Sequence, residues 1–402
     1  MRLAVVGGKL QGTEAAYLAG EAGYDVVLVD RRPGRPAVGL AGESHVFDVT
    51  ADPSRARELF LSCDAVLPAC EDERTLAFLA SFVPRLGVPL LFDPDAYAVT
   101  QSKLRSNELF ARLDVPRPAP WPCDFPVIVK PSVGSGSVQV ELVWSEPELA
   151  QARARLAASG ADAVIEEYVP GPSLSVDMVS YGGETVTLAP TWLEFDAGWD
   201  CKRVVAPVGQ AAQDPASQGG GAAGLRGVMD VEVMMGHAGV LKVLEIDARL
   251  PSQTPACAYH ASDVNIVRVL VETFVAGTTP AGLAAGPAAT AARRGAVYEH
   301  VLVAEGRVRV LGEHVVGAAG PLRRCEGLWG ADVVLTDGPV ERALGTKVVD
   351  LGAARAARAR GRSGGWVAVI MTRGETAAEA RSRAAAAVDR LAGEHGLDVV
   401  LE

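Results

Sequence analysis

Four acids in two short stretches carry the strongest chemical signal in the chain. Asp230 and Glu232 alternate in MDVEVMM, and Glu245 and Asp247 alternate in VLEIDARL. Alternate residues of an extended strand share a face, and the Gly-centred segment Gly236 to Gly239 between the stretches has the length of a hairpin turn. Paired, the two strands gather four carboxylates on one patch of sheet. Such a patch repels itself unless a cation sits in it. Mg²⁺ is a hard cation that takes carboxylate oxygens and keeps room for phosphate oxygens. Arg249, two residues beyond Asp247, adds a fixed positive charge on the same side. The alternative is a solvated acidic edge. Against it stand the strongly apolar neighbours, because acids in such strands usually need a partner.

Other residues could serve the same chemistry. Lys103 stands at the start of a helix expected over Leu104 to Leu113, after Ser102. Lys130 ends the strand VIVK and precedes PSVGSGSVQV, whose small residues let backbone approach a phosphate. Ser175 and Asp177 alternate in SLSVDMVS, as solvent-facing residues or as site residues. Pro251 to Thr254 form a turn with hydroxyl and amide groups suited to a carboxylate or an amine. Near the N-terminus, Gly7 to Gly12 place backbone N–H groups at a helix start, an anion site in the making. Asp30 ends the next strand, where dinucleotide-binding folds keep a ribose-binding acid. The glycine spacing is Gly-Gly-x-x-x-Gly, an imperfect fingerprint for a nicotinamide cofactor. Glu71 and Glu299-His300 are weak signals alone, and His300 fits a core histidine better than a base.

These residues must be positioned by a mixed fold. Arg2–Val6, a helix and Asp25–Asp30 make a βαβ unit, and β/α alternation continues to about Tyr97. The Pro-rich run Pro118 to Pro126 leads into VIVK. A helix over Glu146 to Ala157 and the strand AVIEEYV follow, then strands SLSVDMVS, VTLAPTWLEF and VVAPV. Beyond the acidic hairpin come a helix over Val264 to Ala276, a β-rich region from Val297, a last strand WVAVIMTRG and a helix over Thr376 to Glu394. Gln210 to Gly224, rich in Ala, Gly and Gln, read as a loop or a poorly formed helix. The expected class is α/β and α+β, with units at residues 1–97, 98–170 and 171–402.

The totals agree with a globular enzyme of two or three domains. The 402 residues are 49% hydrophobic and 22% charged, with a net charge of −11. No Lys/Arg run is long enough for a nucleic-acid surface, and Arg355 to Arg362 read as a loop. No apolar run approaches membrane-spanning length. Six scattered cysteines lack metal or disulfide spacing and suit a reducing cytoplasm. The immediate N-terminal strand argues against a signal peptide.

The order and spacing of the two lysines, the Gly/Ser hairpin, the acid pair Glu166-Glu167 and the acidic double strand resemble the ATP-grasp fold, here with an N-terminal Rossmann-like βαβ domain. The resemblance implies that Lys103 and Lys130 contact ATP and that Ser137 lies in a hairpin over its phosphates. Glu166, Glu167, Tyr168 and Val169 match the hinge that reads adenine and ribose. Glu232, Glu245 and Asp247 match the Mg²⁺ ligands, Glu245 also lying against the nucleotide. Asp247 departs from the usual Asn and adds a charge. Arg249 matches the arginine that steadies an acyl-phosphate and is the expected catalytic residue.

VVGGKLQGTEAAYL, VVLVD, DAVLP, IEEYVPG, GVMDVE, EIDARLPSQTP and YEH are further similar to the 3-methylornithine–L-lysine ligases of pyrrolysine biosynthesis. That resemblance covers most of the chain, most weakly Gln210 to Gly224 and Thr346 to Gly364. It implies that ATP drives amide formation between the ε-amine of L-lysine and the carboxylate of 3-methyl-D-ornithine, with D-ornithine as an analogue. Gln11, Gly12, Glu71 and Glu299 would hold lysine. Ser175, Val176, Asp177, Asp230, Pro251, Ser252, Gln253 and Thr254 would hold the diamino acid. Lys9, Asp30, Asp48 and Val49 offer a second place for a nucleotide or its fragment. No membrane or nucleic-acid partner is expected, and a homodimer is compatible. The alternatives are another ATP-grasp enzyme, D-alanine–D-alanine-ligase-like or a carboxylase subunit, and a non-catalytic or NAD-dependent nucleotide-binding protein. The latter leaves the acidic double strand unexplained.

Overall fold

The computed structural model describes residues 1–207, 225–280, 291–336 and 365–400. The expected loop or poorly formed helix at Gln210 to Gly224 and the expected loop at Arg355 to Arg362 lie outside them.

The chain opens with β1 (Arg2–Val6), α1 (Leu10–Glu21), β2 (Asp25–Asp30), β3 (Glu43–Val46), α2 (Pro53–Leu61), β4 (Ala65–Pro68) and α3 (Glu73–Phe82). The four strands pair in parallel in the order β3-β2-β1-β4. Their central members are near-continuous apolar runs because both faces are covered. Two short helices follow, α4 (Pro94–Thr100) and α5 (Lys103–Arg112). The expected boundary at Tyr97 therefore falls inside a helix. Ser102 caps α5 by accepting from the Arg105 N–H.

A three-stranded sheet comes next, from β5 (Val127–Pro131), β6 (Glu141–Val143), α6 (Glu146–Ala158) and β7 (Ala163–Glu167), in the order β6-β5-β7. The Gly/Ser stretch is the loop between β5 and β6, as expected. The remaining strands are β8 (Ser173–Tyr181), β9 (Glu184–Thr187), β10 (Thr191–Phe195), β11 (Cys201–Ala206), β12 (Gly227–Met235) and β13 (Leu241–Asp247). After α7 (Thr254–Ser262) and α8 (Ile266–Ala276) come β14 (Gly295–Ala304), β15 (Arg307–Leu311), the short α9 (His314–Gly317), β16 (Leu322–Cys325), β17 (Asp332–Thr336), β18 (Trp366–Gly374), α10 (Ala377–His395) and β19 (Asp398–Val400). The backbone of this large sheet runs β13-β12-β8-β10-β11-β14-β18-β17-β16. VTLAPTWLEF, expected as one strand, breaks into β9 and β10 around Leu188 to Pro190, since proline removes a ladder donor.

One face of the large sheet carries α7 and α8 and meets α1 of the N-terminal unit in a shared apolar core with Leu18, Cys257, Val267 and Tyr298. The other face carries α10, whose Ala380 and Ala384 pack on Val205 and Val297. The expected site residues Ser175, Asp177 and Thr254 lie on the first face, where Glu14 of α1 also reaches α7.

Candidate functional site

The acidic hairpin forms in the expected register. Asp230 lies opposite Asp247 and Glu232 opposite Glu245, and on the other side β12 sets Asp230 beside Asp177 and Glu232 beside Ser175. Five carboxylates and a hydroxyl thus share one face of three neighbouring strands. Two cations reach them. Lys103 Nζ sits 2.7 Å from Glu245 Oε1, and Arg249 Nη2 sits 2.7 Å from both Asp247 Oδ2 and Glu71 Oε1. Burial is the main influence on the acids. It lifts Asp177, Glu232 and Asp247 each to about 7, the last two also through repulsion by Glu245, and raises Asp230 well above its usual range. Asp230 Oδ1, Asp247 Oδ1 and Ser175 Oγ are buried without a hydrogen-bond partner among the described residues. Among those residues no three of His, Cys, Asp and Glu stand close enough to close a metal shell as they are placed. Lys103 and Arg249 take up Glu245 and Asp247 instead.

The turn at Pro251 to Thr254 is fastened by acids from three distant elements. Thr254 Oγ1 donates to Asp177 Oδ1 at 2.9 Å. Ser252 Oγ and Gln253 Nε2 both donate to Glu313 Oε2 at 2.7 Å. Glu14 of α1 accepts from the Ala256 N–H at 2.6 Å and so caps α7, which has no side-chain cap of its own. Gln253 holds a left-handed backbone, φ 70°, unusual for a side-chain-bearing residue, and its Oε1 is buried without a partner. Glu14, Asp177 and Glu313 make no ion pair among the described residues. Burial raises Glu313 and lifts Glu14 to about 8. Two buried carboxylates, Glu14 and Asp177, and the half-buried Glu313 are thus met by hydroxyl, amide and N–H donors, an arrangement with the charge to suit ammonium groups.

The residues expected at the nucleotide are held by contacts of their own. Lys130 Nζ pairs with Glu166 at 2.5 Å, and Lys103 Nζ also donates to Gly134 O at 2.7 Å, tying α5 to the Gly/Ser loop. Glu167 is held by Lys242 and the Ala119 N–H. The Tyr168 N–H donates to Pro126 O, and its ring meets Trp199 edge-on. Val169 is buried beside Gly236. Ser137 lies in the Gly/Ser loop, and Ser135, two residues before it, donates to Glu71. Gln11 Nε2 reaches the same acid at 2.9 Å. Gly12 is required sterically: an added Cβ would lie 2.0 Å from Gly7 O.

Four expected residues stand elsewhere or act otherwise. Glu299 lies opposite Arg203, on the α10 face of the sheet, with Arg203 Nε at 2.8 Å. It is fully buried there and does not reach the cleft. Val176 points away from the acids because it alternates with Ser175 and Asp177. Val49 is packed in the N-terminal core, and Asp48 accepts from the backbone and hydroxyl of Thr50. Lys9 does lie near Asp30, but the Asp30 carboxylate is already engaged by the Gly8 and Arg32 N–H groups and by Arg35. His300 is buried, its pKa pushed down to about 4, a core histidine as expected. Two site acids, Glu14 and Glu313, escaped the sequence reading. Glu14 sits in an Ala-rich helix, and Glu313 in a segment without periodicity.

No family profile matches the chain. The chain is 35% identical over 321 residues to the 3-methyl-D-ornithine–L-lysine ligase of Methanosarcina barkeri, covering 78% of this chain and 83% of that protein. It is 33% identical over 316 residues to the ligase of the same name from Methanosarcina acetivorans, with the same coverage. A D-alanine–D-alanine ligase of Lacticaseibacillus casei is 27% identical over only 40% of this chain. Among solved structures, the biotin carboxylase domain of the Hydrogenobacter thermophilus 2-oxoglutarate carboxylase superposes with a TM-score of 0.68 at 15% identity, covering 96% of this chain and 89% of its own. The L-amino acid ligase of Bacillus licheniformis superposes at 0.64 and 14% identity, over 100% and 98%. These two likenesses are of fold.

Proposed function

The chain belongs to the 3-methyl-D-ornithine–L-lysine ligase family, and from that premise we propose that it uses ATP to join the ε-amine of L-lysine to the carboxylate of 3-methyl-D-ornithine, a step of pyrrolysine biosynthesis in the cytoplasm. It is an ADP-forming ATP-grasp ligase. The observation that carries the substrate reading is the set Asp177, Glu14 and Glu313 around the Pro251 to Thr254 turn. Three acids with no ion-pair partner among the described residues, Glu14 and Asp177 buried and Glu313 half-buried, fit a diamino acid, which brings two ammonium groups, better than a D-alanine, which brings one.

The donors on β12 and β13 are of the kind Mg²⁺ takes, hard carboxylate oxygens, one of which, Asp247 Oδ1, is buried and unpartnered among the described residues. Glu232, Glu245 and Asp247 would hold the ion, which supplies charge neutralisation at the phosphates. In the first step the diamino-acid carboxylate attacks the γ-phosphorus and ADP leaves. Lys103, Lys130 and Arg249 oppose the charge that develops there, in a cleft poor in water. In the second step the neutral ε-amine attacks the acyl carbon and phosphate leaves. Free lysine has a pKa of about 10.4, so the pocket must lower it or accept its proton.

ADP release with each amino acid alone and with pairs of them, followed by mass analysis of the product, tests the assignment. Amide from lysine and the methylated D-ornithine is expected. Equal turnover with two D-alanines would overturn it.

On this reading Gln11 and Glu71, with Gly12, would hold lysine, while Glu299 stands on the other face of the sheet. Glu71→Gln is therefore expected to raise the lysine KM by about tenfold, the worth of one charge-assisted bond. Acyl-phosphate trapping by hydroxylamine should fall by less than that, although Glu71 also pairs with Arg249 and accepts from Ser135. A loss of trapping instead would show Glu71 serving the first step.

The buried acids give a proton signature. Asp177 at about 7 and Glu14 at about 8 stand above the unfolded range near 4. Their protonated forms favour the folded protein at low pH, and that contribution is lost as pH rises through 7 to 8. An ammonium in the pocket favours the ionised forms, so binding expels protons. Calorimetry of D-ornithine binding at pH 6.5, in buffers of different ionisation enthalpy, should show proton release and tighter binding at pH 8. Flat affinity with no release would contradict the pocket.

A further inference from the structure

The tip of the Gly/Ser loop rests on a histidine. Gly136 has φ 62°, and a Cβ added to it would lie 2.8 Å from His314 Cε1 and 2.9 Å from Nε2. The imidazole is thus packed edge-on against the tip backbone, in space that only glycine leaves. The ring is pinned from behind. Its Nδ1 is 2.7 Å from Asp200 Oδ2, and Asp200 belongs to a tight turn in which Asp196 Oδ1 accepts from the Gly198 and Asp200 N–H groups. That turn holds the histidine's own backbone as well. Asp196 Oδ2 accepts from the Gly312 N–H and Asp200 Oδ2 from the His314 N–H. The two segments meet so closely that a Cβ on Gly312 would fall 1.9 Å from Asp200 Cγ. On its other side the loop tip is held by Ser135, which donates to Glu71.

The residue before His314 is Glu313, which fastens Ser252 and Gln253. Two consecutive side chains of one clamped segment therefore face two sites, the ammonium pocket and the loop over the phosphates. We infer that His314 is a positioning residue that ties closure of the Gly/Ser loop to occupancy of the diamino-acid pocket. The inference rests on the reading of that pocket given above. A cation drawn to Glu313 steadies the Gly312–His314 segment, and the segment presents the imidazole against which the tip seats. The seated tip keeps water from the acyl-phosphate. Unseated, it admits water, whose oxygen bonds to the acyl carbon while the bond from that carbon to the phosphate oxygen breaks. The free amino acid and inorganic phosphate leave, the water's proton passes to solvent, and one ATP is spent without amide.

The test is the ratio of ADP to amide in His314→Ala and His314→Asn, with thermal midpoints recorded. Wild type is expected to form about one amide per ADP. His314→Ala should release at least about threefold more ADP than amide. His314→Asn, whose amide can still donate to Asp200, should recover part of the coupling. An unchanged ratio in a His314→Ala protein that keeps its thermal midpoint would overturn the inference. So would an Asn variant that rescues the midpoint but not the ratio. A second readout needs no acceptor, namely the affinity for a non-hydrolysable ATP analogue with Mg²⁺ in the presence of D-ornithine. D-ornithine should tighten it several-fold in wild type and not in His314→Ala, and equal tightening in both would also overturn the inference. If wild type formed no amide from lysine, the proposed function would fail on that result alone, and this second measurement would still decide the role of His314.

Discussion

Glu245→Gln is expected to lower amide formation by about three orders of magnitude, which corresponds to ~4 kcal/mol of lost transition-state stabilisation. Glu245 stands across from Glu232 and pairs with Lys103, so it joins the acid patch to the residue that reaches the Gly/Ser loop. The substitution keeps size and shape while removing one of three charges from the set suited to Mg²⁺. A hard cation loses affinity steeply as anionic oxygens are removed. The side chain lies on β13, an end strand of the sheet, and is 27% exposed, so the thermal midpoint should change little. Initial rates over a wide Mg²⁺ range check this. Near wild-type ligation at ordinary Mg²⁺ would remove Glu245 from the metal set, while partial recovery at high Mg²⁺ is the expected mark of a weakened site.

Asp177→Asn is expected to lower kcat/KM for the diamino acid about thirtyfold, equivalent to ~2 kcal/mol, while leaving lysine and ATP dependence near wild type. The substitution isolates charge from geometry. An asparagine carbonyl can still accept from Thr254, so the turn keeps its fastening. Glu313→Gln should behave alike, its amide oxygen still accepting from Ser252 and Gln253. The double variant should lose less than the sum, because both acids bear on one ligand. Varying each substrate in turn is the measurement. If either variant altered only the lysine dependence, the two amino-acid pockets would be assigned the wrong way round.

The acidic hairpin was legible because it depends on local rules alone: alternation fixes which acids share a face, and the glycine turn fixes which strands pair. The lysines and the Gly/Ser loop were legible for a similar reason, each being read against the strand or helix it ends or begins. What failed required knowledge of the sheet as a whole. Alternation says that Glu299 and Val297 share a face but not which one, and only the pairing of β14 with β11 and of β11 with β10 puts them under α10. Glu313 meets Ser252 across 61 residues, a meeting set by strand order. The helix α7 was missed because its small residues are buried nearly all round, leaving no polar face to betray a period.

The cap that Glu14 places on α7 spans 242 residues of chain, and this bears on the order of assembly during synthesis. The N-terminal sheet can close its own core as soon as β4 and α3 have emerged. Its α1 then carries an apolar stripe and an acid whose partners are still far from being made. Until the turn at Pro251 to Thr254 arrives, that acid faces water, where a carboxylate is content, and only the later docking of α7 draws it into the interior. The carboxyl thus leaves water only once the N–H group that satisfies it exists. The nascent N-terminal unit shows a surface whose proper cover is the C-terminal sheet of its own molecule, and an early fragment ending near Thr100 would present that stripe to chaperones or to other copies of itself.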